Sequence, residues 1–298
     1  MREIFATAAG WLDQRRPFAL ATLVALRDAK TAPIGTTVAV DLEGHIAGNI
    51  GAGCFETEIV EAALATAADG TTRRLAIDLD AGDELLGGNA CGAVMQLIVW
   101  RPVPSFAEIA RAIVIGERPV SLAIEDFEHV FEAKPHLVLV GATALAQDLA
   151  SIARRAEFHV VVVDPRPAFA TAERLPDANE IVHAWPDVYL PGHLSYDTSV
   201  VVLSHDPKLD IPALAAALRT PAHYIGLLGS RRAQASRKRA LQSMGFDDRA
   251  VDRIHGPVGL DIGGTTTAET AISIMAEIVA TRSGRNGMAL VAARGDIH

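Results

Sequence analysis

The second half of the chain alternates short apolar runs with amphipathic segments. The runs at residues 137–140 and 159–163 are almost wholly aliphatic, as expected for parallel strands that are buried on both faces. Further strands are predicted at residues 180–183, 199–203 and 224–228. Helices are predicted at residues 145–156, 211–218, 230–244 and 267–281. This alternation predicts a parallel sheet covered by helices on both faces, over residues 134–298.

The first half has a mixed pattern with a hairpin that turns through residues 41–44. Helices are predicted at residues 2–14, 55–68 and 106–115, and strands at residues 18–26, 36–40, 45–50, 73–79 and 94–100. Apolar residues alternate between positions 120 and 132, which predicts edge strands leading into a linker at Lys134-Pro135-His136. We therefore predict an α/β protein, with a mixed α+β domain over residues 1–133 followed by the parallel-sheet domain.

Composition and charge narrow the class of protein. Half of the 298 residues are hydrophobic, which is enough for two sizeable cores. The formal net charge of −9 argues against nucleic acid or an anionic membrane as the main partner. Two cysteines do not make a disulfide framework and indicate a reducing compartment. No apolar run is long enough for a membrane span. We expect a cytoplasmic protein with no nucleic-acid partner and no membrane span.

A glycine-rich loop delivers one of the two cysteines to the start of a predicted helix. Gly51 and Gly53 flank Ala52, and Cys54 follows directly. Glycines let backbone N–H groups converge on an anion, and a helix start adds partial positive charge, which favours thiolate over thiol. The loop is therefore a candidate for binding a ligand with both a phosphate and a thiophilic group. The alternative is a tight turn with a buried, inert cysteine.

The first strand of the second half matches a Rossmann dinucleotide site only in part. Gly141 follows the strand, and Asp164 ends the next strand at the spacing of the acid that holds a ribose. Thr143, however, occupies the position where a glycine lets the backbone approach a phosphate. We predict the Rossmann fold without tight NAD binding. Asp164 and Arg166 are candidates to hold a ribose or phosphate, the alternative being a solvated strand end.

Two later stretches are further candidates for anion binding. Gly229 and Ser230 follow a strand, and Ser230 is a good N-cap for a helix that begins with Arg231 and Arg232. Two arginines at a strand's carboxyl end can bind phosphate or carboxylate, although a capped, solvated basic helix has the same pattern. The stretch 256–267 combines glycines with three threonines, which is compatible with an anion nest or a capped turn.

The order of these motifs resembles the XdhC/CoxI family of molybdenum cofactor chaperones over nearly the whole chain. The order comprises Cys54 followed by Glu56, then Cys91 in its own glycine-flanked turn, then the run 229–232, and finally the run 259–263 before the last helix. Two motifs depart from the family pattern. The loop usually reads Ser-Gly-Gly-Cys-Val-Glu and the nucleotide loop Gly-Ala-Gly-His, where this chain has Ala52 and Thr143. The second departure weakens any expectation of ordinary nucleotide binding.

The resemblance implies a maturation factor that carries the molybdenum cofactor as cargo, either as molybdopterin or as its dinucleotide. Under it, the cofactor would contact Gly51, Gly53, Cys54, Glu56 and Cys91 in the first domain, with Cys54 as the ligand of the metal. Tail-binding residues would be Gly141, Asp164, Arg166, Gly229, Ser230, Arg231 and Arg232. The implied partners are a molybdenum hydroxylase apoenzyme of the xanthine dehydrogenase, aldehyde oxidase or CO dehydrogenase type, a cysteine desulfurase and a second copy of the chain.

Two other functional classes remain compatible with the residues. An NAD(P)-dependent oxidoreductase would use the Rossmann half, although Thr143 argues against NAD(P) binding. A thiol-transfer protein would use Cys54 and Cys91 as a disulfide couple. Neither a zinc-ligand cluster, a nucleophile elbow nor a Walker loop occurs in the sequence. A cofactor chaperone is therefore predicted in preference to a metabolic enzyme.

Overall fold

The computed structural model of the protein describes residues 2–27, 32–50, 56–78 and 94–293. The chain divides into two compact units, one ending at Ala133 and the other beginning at Lys134. We refer to them as the N-terminal unit and the C-terminal unit. The mixed N-terminal part and the six-stranded parallel sheet that follows it confirm the predicted fold class.

The N-terminal unit is built on an antiparallel sheet. Its elements are α1 (Glu3–Asp13), β1 (Phe18–Arg27), β2 (Thr37–Asp41), β3 (Ile46–Ala47), α2 (Glu56–Asp69), β4 (Arg73–Asp78), β5 (Val94–Trp100), α3 (Phe106–Ile115), β6 (Val120–Ile124) and β7 (Phe127–Phe131). Strands β1 to β5 are arranged in the order β3-β2-β1-β5-β4, and β6 pairs with β7 as a separate hairpin. The hairpin predicted through residues 41–44 is thus present, with a second strand shorter than expected.

Helices cover both faces of this antiparallel sheet, which explains why its central strand is apolar at nearly every position. Phe18 and Leu20 of β1 pack in one cluster with α1 and α3. Ala19 and Ala21 point the other way and pack with α2. Successive side chains of a strand face opposite sides, so a strand between two cores must be apolar on both.

The C-terminal unit is a parallel sheet with helices between its strands. Its elements are β8 (His136–Val140), α4 (Ala144–Arg155), β9 (His159–Val163), β10 (Glu180–Val182), α5 (Pro186–Tyr189), β11 (Thr198–Val202), α6 (Pro207–Leu218), β12 (Tyr224–Leu227), α7 (Arg231–Ser243), α8 (Asp248–Val251), β13 (Ile254–His255) and α9 (Thr267–Arg282), followed by a 3-10 turn (Leu290–Ala292). The strand order is β10-β9-β8-β11-β12-β13.

Two hydrophobic cores lie on opposite faces of this parallel sheet. Helices α4 and α9 cover one face, where Leu149 and Ile274 pack on alternate residues of the strands. Helix α6 and one residue of α7, Leu241, lie on the other face with the remaining strand residues. The aliphatic runs in the sequence follow from this arrangement, since each strand is buried on both sides.

The structure extends one predicted helix and adds short elements that the pattern did not indicate. The helix predicted over residues 211–218 begins at Pro207, because Asp206 caps it and proline is tolerated at the first helical position. Elements α5, α8 and β13 have two to four residues each, too few to show a period. The difference matters for the site, since only residues 203–206 then separate β11 from α6.

Candidate functional site

The carboxyl ends of the parallel strands bring the predicted residues of the C-terminal unit to one edge. Gly141 follows β8, Asp164 and Arg166 follow β9, and the run 229–232 follows β12. Strand β8 pairs with β9 on one side and with β11 on the other. The chain therefore reverses its direction across the sheet between β8 and β11, and ligands of open α/β sheets bind at such a switch point.

Gly141 is required by the close approach of two loops at this switch point. Its φ of +103° lies in the region that favours glycine. A Cβ at this position would lie 3.1 Å from the backbone nitrogen of Ser204, which follows β11. Gly141 thus lets the loops after β8 and β11 pack against each other. Whether it also contacts a cofactor stays a prediction.

Thr143 caps helix α4 with its side chain. Its hydroxyl accepts a hydrogen bond from the backbone N–H of Ala146 at 3.2 Å. In a dinucleotide site the first amides of this helix bind the pyrophosphate. Here one of these amides already has a partner within the chain. Thr143 therefore stabilises the start of its own helix, and the absence of ordinary NAD binding stays a prediction.

Asp164 is fully buried and its carboxylate has four hydrogen-bond donors. Its Oδ2 accepts from the backbone N–H of Ala142 at 2.8 Å and from Arg166 Nη2 at 2.7 Å. Its Oδ1 accepts from the Arg166 backbone N–H and from Arg166 Nε, both at 2.9 Å. Burial alone would raise the pKa of Asp164, but these donors hold that pKa below its usual value. The solvated strand end considered above is therefore wrong for Asp164, which positions Arg166 and the loop at Ala142.

The run from Gly229 to Arg232 forms the turn into α7. Ser230 caps the helix as predicted, accepting a hydrogen bond from the Ala233 backbone N–H at 3.3 Å. Arg231 and Arg232 are exposed, and neither guanidinium makes an ion pair with any residue that the structure describes. Both are available to an anion at the carboxyl edge, and their binding role stays a prediction.

A buried ion pair lies behind this turn, and the sequence pattern did not predict it. Arg237 donates to Asp210 Oδ2 through Nε at 2.8 Å and through Nη2. Ser204 donates its hydroxyl to Asp210 Oδ1. Burial raises the pKa of the Asp210 carboxyl, an effect that the bonds from Ser204 and Arg237 oppose. The sequence does contain an indication that Arg237 is buried. Arg237 lies one helical turn before the apolar Leu241 and therefore on the same face of the helix.

The glycine-rich stretch 256–267 is held against α9 by hydrogen bonds. Glu277 accepts hydrogen bonds from the Tyr224 hydroxyl at 2.6 Å, from His255 Nδ1 at 2.8 Å and from the Gly259 backbone N–H at 2.6 Å. Thr266 and Glu269 form a capping box at the helix start. The capped turn considered for this stretch is thereby confirmed at Thr266.

In the N-terminal unit, the predicted residues Gly51, Gly53, Cys54 and Cys91 lie outside the described residues. Glu56 begins α2. A cleft of about 710 Å³ lies beside the segment from Gly48 to Ile50, which leads into the cysteine loop. Its lining includes the polar residues Glu3, Thr7, Thr36, Thr37 and Asn49. The cleft has the volume of a small-molecule site.

Three polar side chains of the β2–β3 turn have a spacing that could suit a metal ion. The ligand atoms of Asp41, Glu43 and His45 lie within 4.8 Å of one another. However, buried Asp41 accepts from the backbone N–H groups of Glu43 and His45 at 2.8 and 2.9 Å, and pairs with Arg16. Although burial alone would raise it, these contacts lower the pKa of Asp41. The cluster is explained by closure of the turn and carries no metal assignment.

Two family models match the chain, one in its N-terminal part and one in its C-terminal part. Residues 11–78 match the XdhC and CoxI family, and residues 137–278 match the XdhC Rossmann domain. The chain belongs to the XdhC and CoxI family. The first match spans the cysteine loop, and the second begins in β8 and ends within α9 of this family member.

Relatives with curated descriptions match one or both parts of the chain. The molybdenum cofactor insertion chaperone PaoD of Escherichia coli is 25% identical over 288 residues, which cover 88% of this chain and 83% of PaoD. A Bacillus subtilis protein described as a probable xanthine dehydrogenase subunit is 35% identical over 152 residues, 51% of this chain and 44% of that protein. The uncharacterized protein YqeB of E. coli is 26% identical over 284 residues, 95% of this chain and 47% of YqeB. The chain thus matches less than half the length of the last two relatives.

A solved structure shares the fold. A crystal structure described as a xanthine dehydrogenase from Bacillus halodurans aligns with a TM-score of 0.79 and 21% sequence identity, covering 98% of this chain and 97% of that one. At this identity the likeness establishes architecture alone. Among residues 2–27, 32–50, 56–78 and 94–293, no helix has the length and apolarity to cross a membrane.

Proposed function

We propose that this protein binds the molybdenum cofactor, stabilises it, assists its sulfuration and inserts it into an apoenzyme of the xanthine dehydrogenase, aldehyde oxidase or CO dehydrogenase type. The observation that carries the proposal is the alignment with PaoD, a molybdenum cofactor insertion chaperone, across both units. The family models in the matching order support it. The cofactor is the cargo of such a protein, so the residues are assigned to binding and transfer rather than to turnover of a substrate.

The N-terminal unit binds the pterin and molybdenum end of the cargo in this proposal. The cleft beside Gly48 supplies the Glu3 carboxylate and the threonine hydroxyls, which accept hydrogen bonds from the amino and ring N–H groups of a pterin. The cysteine loop follows Ile50 directly in the sequence, with Cys54 four residues later. A cysteine thiolate is a soft ligand suited to molybdenum or to a transferred sulfur. Cys91 and Glu56 are assigned to the same site.

The carboxyl edge of the C-terminal unit binds the tail of the cargo in this proposal. Arg231 and Arg232 at the start of α7 offer two exposed guanidinium groups to a phosphate, and the helix start favours an anion. Gly229 and Ser230 shape the turn that carries these arginines, and Gly141 shapes the loop after β8 at the same edge. Asp164 acts by holding Arg166 at the same edge. We further propose a homodimer in the cytoplasm that works with a cysteine desulfurase.

The experiment that tests this function is cofactor retention by the protein purified from molybdate-grown cells. Bound pterin is extracted, oxidised and measured by fluorescence and mass spectrometry. Cys54→Ala is expected to lower retained cofactor several-fold and to lower activation of the client apoenzyme, while the circular dichroism spectrum stays unchanged. Cys91→Ala is the matched variant at the other cysteine. Wild-type retention and full client activation by Cys54→Ala would contradict the proposal.

An NAD(P)-dependent oxidoreductase is the alternative function, and the strand order of the C-terminal unit is the observation in its favour. The hydroxyl of Thr143 argues against it, because it takes up an amide of the pyrophosphate position. Titration of the purified protein with NAD(H) and NADP(H) separates the two. Micromolar binding of either nucleotide, together with absence of pterin in the purified protein, would favour the oxidoreductase.

A further inference from the structure

An arginine and an aromatic ring lie together on the surface directly after β9. The Arg166 guanidinium carbon lies 4.5 Å from the centroid of the Phe169 ring, and the Arg174 guanidinium carbon lies 5.6 Å from the same ring. Phe169 is 44% exposed, and the Arg166 side chain is 43% exposed. The Arg166 guanidinium and the Phe169 ring therefore form one partly exposed aromatic and cationic surface. A further planar group can pack against such a surface.

Arg166 is held in place more firmly than an ordinary surface arginine. Two of its side-chain nitrogens donate to the two oxygens of the buried Asp164 carboxylate, at 2.9 and 2.7 Å. Asp164 itself is fixed by the Ala142 amide in the loop after β8. A fork-to-fork pair of this kind fixes the plane of the guanidinium as well as its position.

This plane lies where a Rossmann domain binds a nucleotide. The residues that follow the second strand of such a sheet contact the nucleoside, next to the switch point. Here that strand is β9, which is adjacent to β8 in the sheet. Arg166 and Phe169 therefore occupy the nucleoside end of the carboxyl edge, while Arg231 and Arg232 lie after β12 on the other side of the switch point.

We propose that the Arg166 guanidinium, held by Asp164 and backed by the Phe169 ring, is a stacking platform for the base of a nucleotide. Bases stack on arginine planes and on aromatic rings because each has an extended face with complementary charge. On the proposed function, on which this inference rests, the cargo is the dinucleotide form of the molybdenum cofactor. Asp164 is then a positioning residue for Arg166 and does not contact the ribose.

The test is calorimetric titration of the full-length protein with CMP, GMP and AMP, and with ribose 5-phosphate as the ligand that lacks a base. The nucleotides are expected to bind about ten-fold more tightly than ribose 5-phosphate, as stacking of one base predicts. Arg166→Lys keeps the charge but loses the plane, and is expected to lower nucleotide affinity about ten-fold with no effect on ribose 5-phosphate. Phe169→Ala should give the same selective loss.

The chain offers a matched control for the arginine-on-phenylalanine pair. The Arg219 guanidinium carbon lies 4.8 Å from the Phe246 ring centroid. Arg219 follows the last residue of α6 and precedes β12, so this pair lies at the amino edge of the same sheet. Arg219→Lys is expected to bind nucleotides as the wild type does. Equal binding of ribose 5-phosphate and nucleotides, absence of nucleotide binding, or unchanged nucleotide binding by Arg166→Lys would overturn the platform.

Separate outcomes distinguish this inference from the proposed function. Retained pterin without a nucleotide tail, in a protein that does not bind nucleotides, overturns the platform and leaves the chaperone function standing. Nucleotide binding that depends on Arg166, in a protein that retains no pterin and activates no client, supports the platform and overturns the chaperone function. Arg166-dependent binding of NAD(H) that is ten-fold tighter than binding of the monophosphates would overturn the assignment of the platform to the molybdenum cofactor.

Discussion

Asp210 and Arg237 illustrate how a buried charge is tolerated in the C-terminal unit. Asp210 is fully buried, and the Arg237 side chain is 10% exposed. Removing two charges from water costs several kcal/mol for each, so the pair needs good geometry and additional hydrogen bonds. Two donors from Arg237 and the Ser204 hydroxyl supply them. The pair fixes α7 relative to α6 and so sets the position of the turn at Gly229.

Removing one partner of this pair is expected to destabilise the protein strongly. Arg237→Met leaves the Asp210 carboxylate buried with one remaining side-chain donor, and the free energy of unfolding should fall by about 3–5 kcal/mol. Urea denaturation followed by circular dichroism measures the change. Arg239→Met, on an exposed position of the same helix, should change the free energy of unfolding by less than about 0.5 kcal/mol. Equal losses in the two variants would contradict the role of the pair.

At the same scale, residue types identified candidates but not their contacts. Ser230 was correctly predicted as an N-cap, because a serine before a helical pattern has a local physical consequence. Asp164 has the position of a ribose ligand in the sequence, yet its oxygens are filled by Ala142 and Arg166. Arg166 is a local partner, two residues from Asp164, whereas the Ala142 contact depends on how close the loop after β8 lies to the end of β9, which no local pattern determines.

At the scale of elements, the start of α9 depends on a reciprocal cap. The Thr266 hydroxyl accepts from the Glu269 backbone N–H, while the Glu269 carboxylate accepts from the backbone N–H groups of Thr265 and Thr266. These bonds lower the pKa of Glu269 to about 2, against 4.5 for the free side chain. Helix α9, which holds the stretch 256–267, is therefore stabilised at its start by the ionised Glu269 carboxylate.

This cap predicts a pH dependence of stability. Because the pKa of Glu269 is lower in the folded state, its carboxylate stabilises the protein above pH 4.5, and this contribution is lost as the pH falls from 4.5 through about 2. Glu269→Gln can keep the hydrogen bonds without titrating in this range. Thermal unfolding between pH 6 and pH 2 should show the wild type losing its advantage over Glu269→Gln. A difference that stays constant across this range would contradict the assignment.

The ends of helices and strands were predicted best where prolines flank a segment with a strong hydrophobic period. The strand over residues 94–100 and the helix over residues 106–115 have the predicted ends, with Pro102 and Pro104 between them. The helix beginning at Pro207 was predicted four residues too late, because its early turns contain two prolines. A proline at the first helical position lacks only an N–H that has no helical partner.

At the scale of the whole molecule, each unit has its own sheet and its own pair of cores. The clusters of the N-terminal unit contain residues up to Phe131, and those of the C-terminal unit begin at Leu137. A segment with its own complete core is able to fold alone. The division falls at the Lys134-Pro135-His136 run.

The C-terminal unit is accordingly expected to fold without the N-terminal unit. A fragment of residues 134–298 should show a helical and strand circular dichroism spectrum and unfold in urea in one cooperative transition. A fragment that begins at Gly141 lacks β8, which pairs with both β9 and β11, and should not fold. A non-cooperative transition of the longer fragment would contradict the independence of the unit.

The sequence by itself determined the class of fold, the order of the elements and the family. Hydrophobic periods and turn residues depend on a few neighbouring positions, so helices and strands can be predicted from the local sequence. Several motifs that occur in a fixed order along the chain identify the family. Only the tertiary structure decided which charged groups are satisfied within the chain and which are left at the surface. Arg237 is buried against Asp210, Asp164 accepts a hydrogen bond from the Ala142 amide, and Arg231 remains exposed. The burial and pairing of these side chains depend on contacts between residues distant in the chain. Such contacts form only when the strands pair and the helices pack.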